Sequence, residues 1–136
     1  MVVINDVIDG IETNLQAITG LRTYSEWPDV LNAPAAIVFP SEEFITPITL
    51  EGGYSMSYEV LVLVEIPAGV VRGQRALNPY CDTSGNTSIR VAVEADSTLG
   101  GTVSDIIYMG AFDYARSYKF GTVTYLGVTH RFALLV

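Results

Sequence analysis

The residue types from which nucleophilic, acid–base or metal chemistry is usually built are scarce here: the chain holds one histidine, His130, and one cysteine, Cys81. Covalent catalysis needs a nucleophile, a base and an orienting group within reach of one another, and a zinc site takes three or four ligands. His130 falls on the apolar face of an alternating segment and reads as a structural or interface histidine. Cys81, beside Asp82, matches no nucleophile pattern and reads as a small buried apolar group. A single cysteine also excludes an intrachain disulfide framework and supplies no metal-ligand pair. Ser84-Gly85 and Ser88 do not make a G-x-S-x-G elbow and suit a loop and a helix cap. The glycine pairs at 52–53 and 100–101 lack the lysine and the spacing of a phosphate-binding loop, and read as turns. Glu42, Glu43 and Glu51 share one segment but not the regular alternation of a calcium loop, so they read as solvated acids. No catalytic residue, cofactor or metal site is expected.

Seven tyrosines, Tyr54, Tyr58, Tyr80, Tyr108, Tyr114, Tyr118 and Tyr125, fall mostly on segments that read as strands. Tyrosine packs well on sheet surfaces and at protein contacts, where its ring is buried and its hydroxyl stays paired. Sheet packing accounts for most of them, and one or two are expected at a subunit contact. Arg116 and Lys119 are the densest basic charge near aromatics, and two cations are too few for a nucleic-acid patch.

At 136 residues, with 49% hydrophobic and 16% charged side chains, the chain suits a single domain with a full core. Soluble domains average about 25% charged residues, so part of the apolar excess is expected at a subunit interface. The net charge of −8 argues against binding to phosphate backbones, and the seven basic residues form no run. The N-terminal residues, Met1-Val2-Val3-Ile4-Asn5-Asp6, do not read as a signal peptide. The longest apolar run, Val60 to Val64, is far shorter than the roughly 20 residues that span a bilayer. No membrane role is expected, and folding in a cytoplasm is the default.

These side chains are positioned by a short list of elements. Residues 2–18 read as an amphipathic helix with Ile4, Ile8, Ile11, Leu15 and Ile18 on one stripe, stopped by Gly20. Leu21 to Trp27 reads as extended and closed by Pro28. Pro34 to Pro40 reads as a short buried strand, and Ser41 to Gly53 as a long loop or a loose hairpin arm. Tyr54 to Ile66 is the clearest strand. Its face Tyr54, Met56, Tyr58, Val60, Val62, Val64 and Ile66 must be core. The opposite face turns apolar at Leu61 and Leu63, so a helix or a neighbouring subunit is expected to cover that part. Val70 to Tyr80 has helical spacing, weakened by Gly73 and limited by Pro79. Between Pro79 and Gly101 the sequence reads as a turn-rich loop, a short helix capped by Asn86, Thr87 or Ser88 and running to about Ala95, and a tight exit. Val103 to Tyr108, Ala111 to Phe120 and Val123 to Val136 read as strands, with Gly110, Gly121 and Gly127 as turns or bulges. The fold class is α+β: one domain, a mainly antiparallel sheet of four to six strands, and two or three helices packed against it.

In order and spacing, almost the whole chain resembles the tail terminator proteins of long-tailed bacteriophages, particularly those of actinobacterial phages and prophages. The resemblance lies in the N-terminal helix, Gly20-Leu21-Arg22-Thr23-Tyr24, and Trp27-Pro28-Asp29 leading to Pro34-Ala35-Ala36-Ile37-Val38. It continues in Ser88-Ile89-Arg90, Glu94-Ala95-Asp96, Leu99-Gly100-Gly101, and Gly121 to Val128. Ala68 to Tyr80 departs from it, because Gly73 and Pro79 interrupt what such proteins carry as a regular polar helix. The resemblance implies a structural virion protein with no catalytic residues. It implies a ring, commonly a hexamer, that ends growth of the tail tube at its head-proximal end. The implied partners are copies of itself, the major tail tube protein, a head-side connector or stopper, and double-stranded DNA that passes without specific binding. The implied place is the head–tail junction, after assembly in the host cytoplasm. Under this reading Glu42, Glu43, Glu51 and Tyr54 are candidate ring or lumen contacts. Another neck or head-completion protein is the alternative, and a small-ligand-binding module with a tyrosine-lined pocket a more distant one.

Overall fold

The computed structural model describes residues 4–28, 30–47, 54–65 and 70–135, the side chains of 42–47, 54 and 70–72 excepted. It is a five-stranded mixed sheet, mostly antiparallel, with three helices on one face. Helix α1 spans Ile4–Leu15, ending three residues earlier than the periodicity suggests; residues 2 and 3 lie outside the described residues. Val7, Ile8, Ile11 and Leu15 bury its apolar stripe, and Ile18 is buried just beyond it. Gly20 has φ +83°, a left-handed conformation that glycine takes without strain, and it closes the turns between α1 and the first strand. Strand β1 is only Arg22–Tyr24; it pairs in parallel with β2, Ala35–Pro47. The stretch from Ser41 is therefore a strand continuation as far as Pro47, the hairpin-arm alternative rather than a loop.

Strand β3, Tyr54–Glu65, lies at the centre between β2 and β5, Val123–Leu135, antiparallel to both. Helix α2, Val70–Cys81, continues two residues past Pro79. Proline removes one amide donor, yet the helix end gains another: the Thr87 hydroxyl donates to the Pro79 carbonyl at 3.0 Å. Ser88 caps α3, Ile89–Glu94, its Oγ accepting from the Val91 amide at 3.3 Å. Asn14 of α1 then donates to the Val93 carbonyl at 2.9 Å, tying the two helices together.

The stretch from Val103 to Phe120, expected as two strands, forms one edge strand, β4, Asp105–Phe120. Bulges at Tyr108/Gly110 and Phe112/Arg116 absorb the breaks in alternation. Gly110 stands at the first of them, and Gly121 turns β4 into β5. Gly127 makes no turn but stands opposite the second bulge. It lies inside β5 in register with Leu63 and Arg116, and a Cβ there would sit 2.8 Å from both Leu63 Cδ2 and Tyr118 Cε2. Its missing side chain lets those two groups meet over the strand.

The main core lies between the helices and one sheet face. Met56, Tyr58, Val60, Val62 and Val64 of β3 and Leu126, Val128, Phe132 and Leu134 of β5 fill it, as the period-two pattern requires. Ile66 and Val136 lie outside the described residues. The opposite face carries a second, smaller core over half its length, built from Leu31, Ala35, Ile37, Leu61, Leu63 and Tyr125. Leu61 and Leu63 are thus covered by neither a helix nor a second subunit. The chain's own return between β1 and β2 closes over them, with Tyr118 and Phe120 at its margin. Trp27 finishes that lid by packing against Phe39 and Phe120, with centroids 5.7 and 5.8 Å away.

Candidate functional site

Three groups of residues bear on function: the histidine cluster in the core, two surface hollows, and the side chains left exposed along β4. The cluster forms where α2 ends. β5 turns His130 inward at the level of Val60 and Ala111, and the imidazole is 1% exposed. Tyr108 Oη lies 2.9 Å from His130 Nδ1, and Nε2 has no protein partner among the described residues. Desolvation lowers the imidazole pKa from 6.5 to about 4, so the ring is neutral at pH 7. Tyr58 Oη, diagonal to His130 across β3 and β5, is likewise buried and without a protein partner, and burial pushes that phenol up to about 12. Cys81 sits half-buried against the same core, its thiol pKa raised by burial and then by the neighbouring Asp82 carboxylate. The Arg90 guanidinium covers the Tyr108 ring at 5.6 Å.

This cluster can hold a neutral imidazole and a protonated thiol in place; its chemistry is that of packing. A general base must touch the proton it removes, and His130 reaches no solvent. A nucleophilic cysteine works as the thiolate, and the environment of Cys81 disfavours that form.

Two hollows mark the surface. One of about 420 Å³ lies between the end of α1 and the start of α3, lined by Ile18, Asn86, Ser88 and Val91 among others, with no tyrosine. Another of about 430 Å³ lies beside β1, where Tyr24 and Trp27 meet Glu12 and Glu26. Of these two hollows among the described residues, the second carries a single tyrosine, Tyr24.

Of the candidate contacts read from the sequence, three have a described backbone. The backbone places Glu42 and Glu43 on β2, in the irregular stretch between Pro40 and Ile45, and Tyr54 at the start of β3. Glu51 lies outside the described residues. What sequence reasoning missed is β4. Ile107, Met109, Phe112 and Tyr114 are all on this edge strand and are 40–54% exposed. Arg131 stacks over Phe112 at 4.5 Å while pairing with Glu59 at 2.9 Å, which orders the neighbouring surface. Tyr114, whose hydroxyl donates to Asn78 Oδ1, is half exposed and is the strongest of the seven tyrosines for a contact. The signal available in the sequence was the mixed composition of Ile106 to Phe112, seven residues without a charge.

Among known proteins, no family model and no curated sequence matches this chain.

Proposed function

We propose that this chain is a structural subunit of a phage tail: a terminator that closes into a ring on the head-proximal end of the tail tube and offers the joining surface for the head-side connector. The observation that carries the structural half of this reading is the row of exposed apolar side chains on β4. A chain with 16% charged residues has little to shield such a row from water, and apolar surface of this kind marks protein contacts. The partners, and the hexameric count, come from the order and spacing shared with tail terminators. The net charge of −8 suits a hole through which double-stranded DNA slides without sticking. No helix among the described residues is long and apolar enough to cross a membrane, which agrees with assembly away from one.

The test is genetic. Silencing the gene in its phage should give tails of uncontrolled length that fail to join filled heads, seen by negative-stain microscopy. Tails of normal length that still fail to join would move the chain to a neck or head-completion role. Normal virions would refute the reading.

A further inference from the structure

The sheet has two unpaired edges, and they are complementary. On one side β1 covers only Ala35–Ile37 of β2, and among the described residues no strand pairs with the outer edge of β2 from Val38 to Pro47. On the other side β4 is the last strand of the sheet. Following the register across the sheet, Phe39 is level with Glu59, Arg131 and Gly110, and Ile45 with Met56, Leu134 and Ile106. The open part of β2 therefore stands at the height of residues 105–111 of β4.

That part of β4 is also the less charged part, its own interruptions being Asp105 at its start and the bulge at Tyr108/Gly110. Edge strands in monomeric proteins are usually blunted by charges, prolines or bulges. Asp113 and Arg116 lie in the other half, at the height of β1's cover, and Lys119 lies beyond it. Ile106 to Phe112 has no charge, and Ile107, Met109 and Phe112 are exposed. Since β4 is antiparallel to β5, β5 to β3, and β3 to β2, strands β4 and β2 run in opposite directions. A copy placed edge to edge in the same orientation thus meets its neighbour as an antiparallel pair, the more stable arrangement per residue.

We propose that copies of this chain join head to tail through these edges, residues 105–111 of β4 in one copy beside the open edge of β2 in the next. One patch meets a different patch, the heterologous contact from which rings are closed. Pro40 and the irregularity after it interrupt the ladder, so the contact is short in backbone hydrogen bonds and leans on burial of the β4 side chains. The same irregularity carries Glu42 and Glu43 to the seam. Arg90, over Tyr108, and Arg131, over Phe112, flank this part of β4, each already paired within the chain, with Glu94 and Glu59. The inference rests on the ring reading only for closure of the chain of copies.

Ser41 and Ile107 stand at one height: the Ser41 hydroxyl donates to the Ser57 carbonyl at 3.0 Å, and Ser57 is in register with Ala133, opposite Ile107. Two proteins are made in a Cys81→Ala background, one with Ser41→Cys and one with Ile107→Cys, and each is oxidised alone and mixed. A disulfide-linked dimer in the mixture and none in either protein alone is expected. Self-linking of the Ile107→Cys protein would mean that two β4 edges meet, and overturns the proposal; so does the absence of any cross-link at the concentrations where the parent assembles, or a parent that never assembles. Met109→Lys, at an exposed position, should abolish assembly while leaving the circular dichroism spectrum and melting temperature of the monomer unchanged; assembly that survives it overturns the edge contact. Rings without the cross-link would remove this contact and leave tail termination standing. The cross-link in a chain whose loss does not alter tails would remove termination and leave the contact.

Discussion

Replacing His130 by leucine changes the pH dependence of stability, and the sign follows from the burial of the ring. In the unfolded chain the imidazole titrates near 6.5, while in the fold desolvation holds it at about 4. Between those values the unfolded state binds the proton and the folded state does not, so stability falls as pH falls. Above 6.5 there is no loss from this group; below about 4 both states are protonated and the loss is complete. At 1.36 kcal/mol per pH unit, the gap limits the loss to about 3 kcal/mol. Leucine removes that dependence but leaves the Tyr108 hydroxyl without its His130 partner, a pH-independent penalty of roughly 1–3 kcal/mol for a buried group. Leucine also deletes the unpartnered Nε2, which offsets that penalty, so the two proteins are close in stability at pH 7.5, and the variant gains on the parent from pH 6.5 downward by up to about 3 kcal/mol near pH 4. Urea unfolding followed by fluorescence at half-unit pH steps, on dilute protein, gives the difference curve, in which carboxylates common to both proteins cancel. A difference that stays flat between pH 7 and 4, or a native-state histidine resonance with a midpoint near 6.5, refutes the assignment of His130 as a desolvated core group.

Three further substitutions test the packing. Gly127→Ala forces a methyl against Leu63 and Tyr118 at 2.8 Å and should lower stability by about 1–3 kcal/mol, read as a fall in the urea midpoint at constant m. Tyr58→Phe deletes a buried hydroxyl that has no protein partner, so it should leave stability unchanged or raise it by about 1 kcal/mol, and a clear loss would reveal a partner for that group. Ser88→Ala removes both the cap on Val91 and the 2.5 Å bond to the Asp82 carbonyl; a loss of about 1–2 kcal/mol is expected in thermal melts, with Ser88→Thr, which can both accept and donate, recovering part of it.

Most of the fold was legible because its elements carry their own periodicity. The α1 stripe and the alternation of β3 each fix a buried face without help from the rest of the chain. The misreadings share one cause, that a local signal was overridden by a contact from far away in sequence. Gly127 looks like a turn because glycine usually is one, and only the approach of Leu63 and Tyr118, from two neighbouring strands, explains it. Leu61 and Leu63 needed a cover, but the sequence does not say that residues 24–33 return over them. In β4, Gly110 reads as a break between two strands, whereas pairing with β5 carries the strand through the bulge.

The contact surface was less legible than the core, for a reason that bears on function. A core position announces itself by matching its neighbours in period, and β4 does not keep one: its two bulges break the alternation on which a face could be recognised. Composition pointed to an apolar excess but not to its place. Once the topology is known, the same residues acquire a meaning that alternation could not give them. Ile107 and Met109 lie on an edge strand, at the height where the opposite edge of the sheet is also free among the described residues. An exposed apolar side chain on an inner strand can be covered by any flat partner. On an edge strand with unpaired backbone groups it favours a partner that brings a strand, and the nearest supply of a strand of the right direction is another copy of this chain.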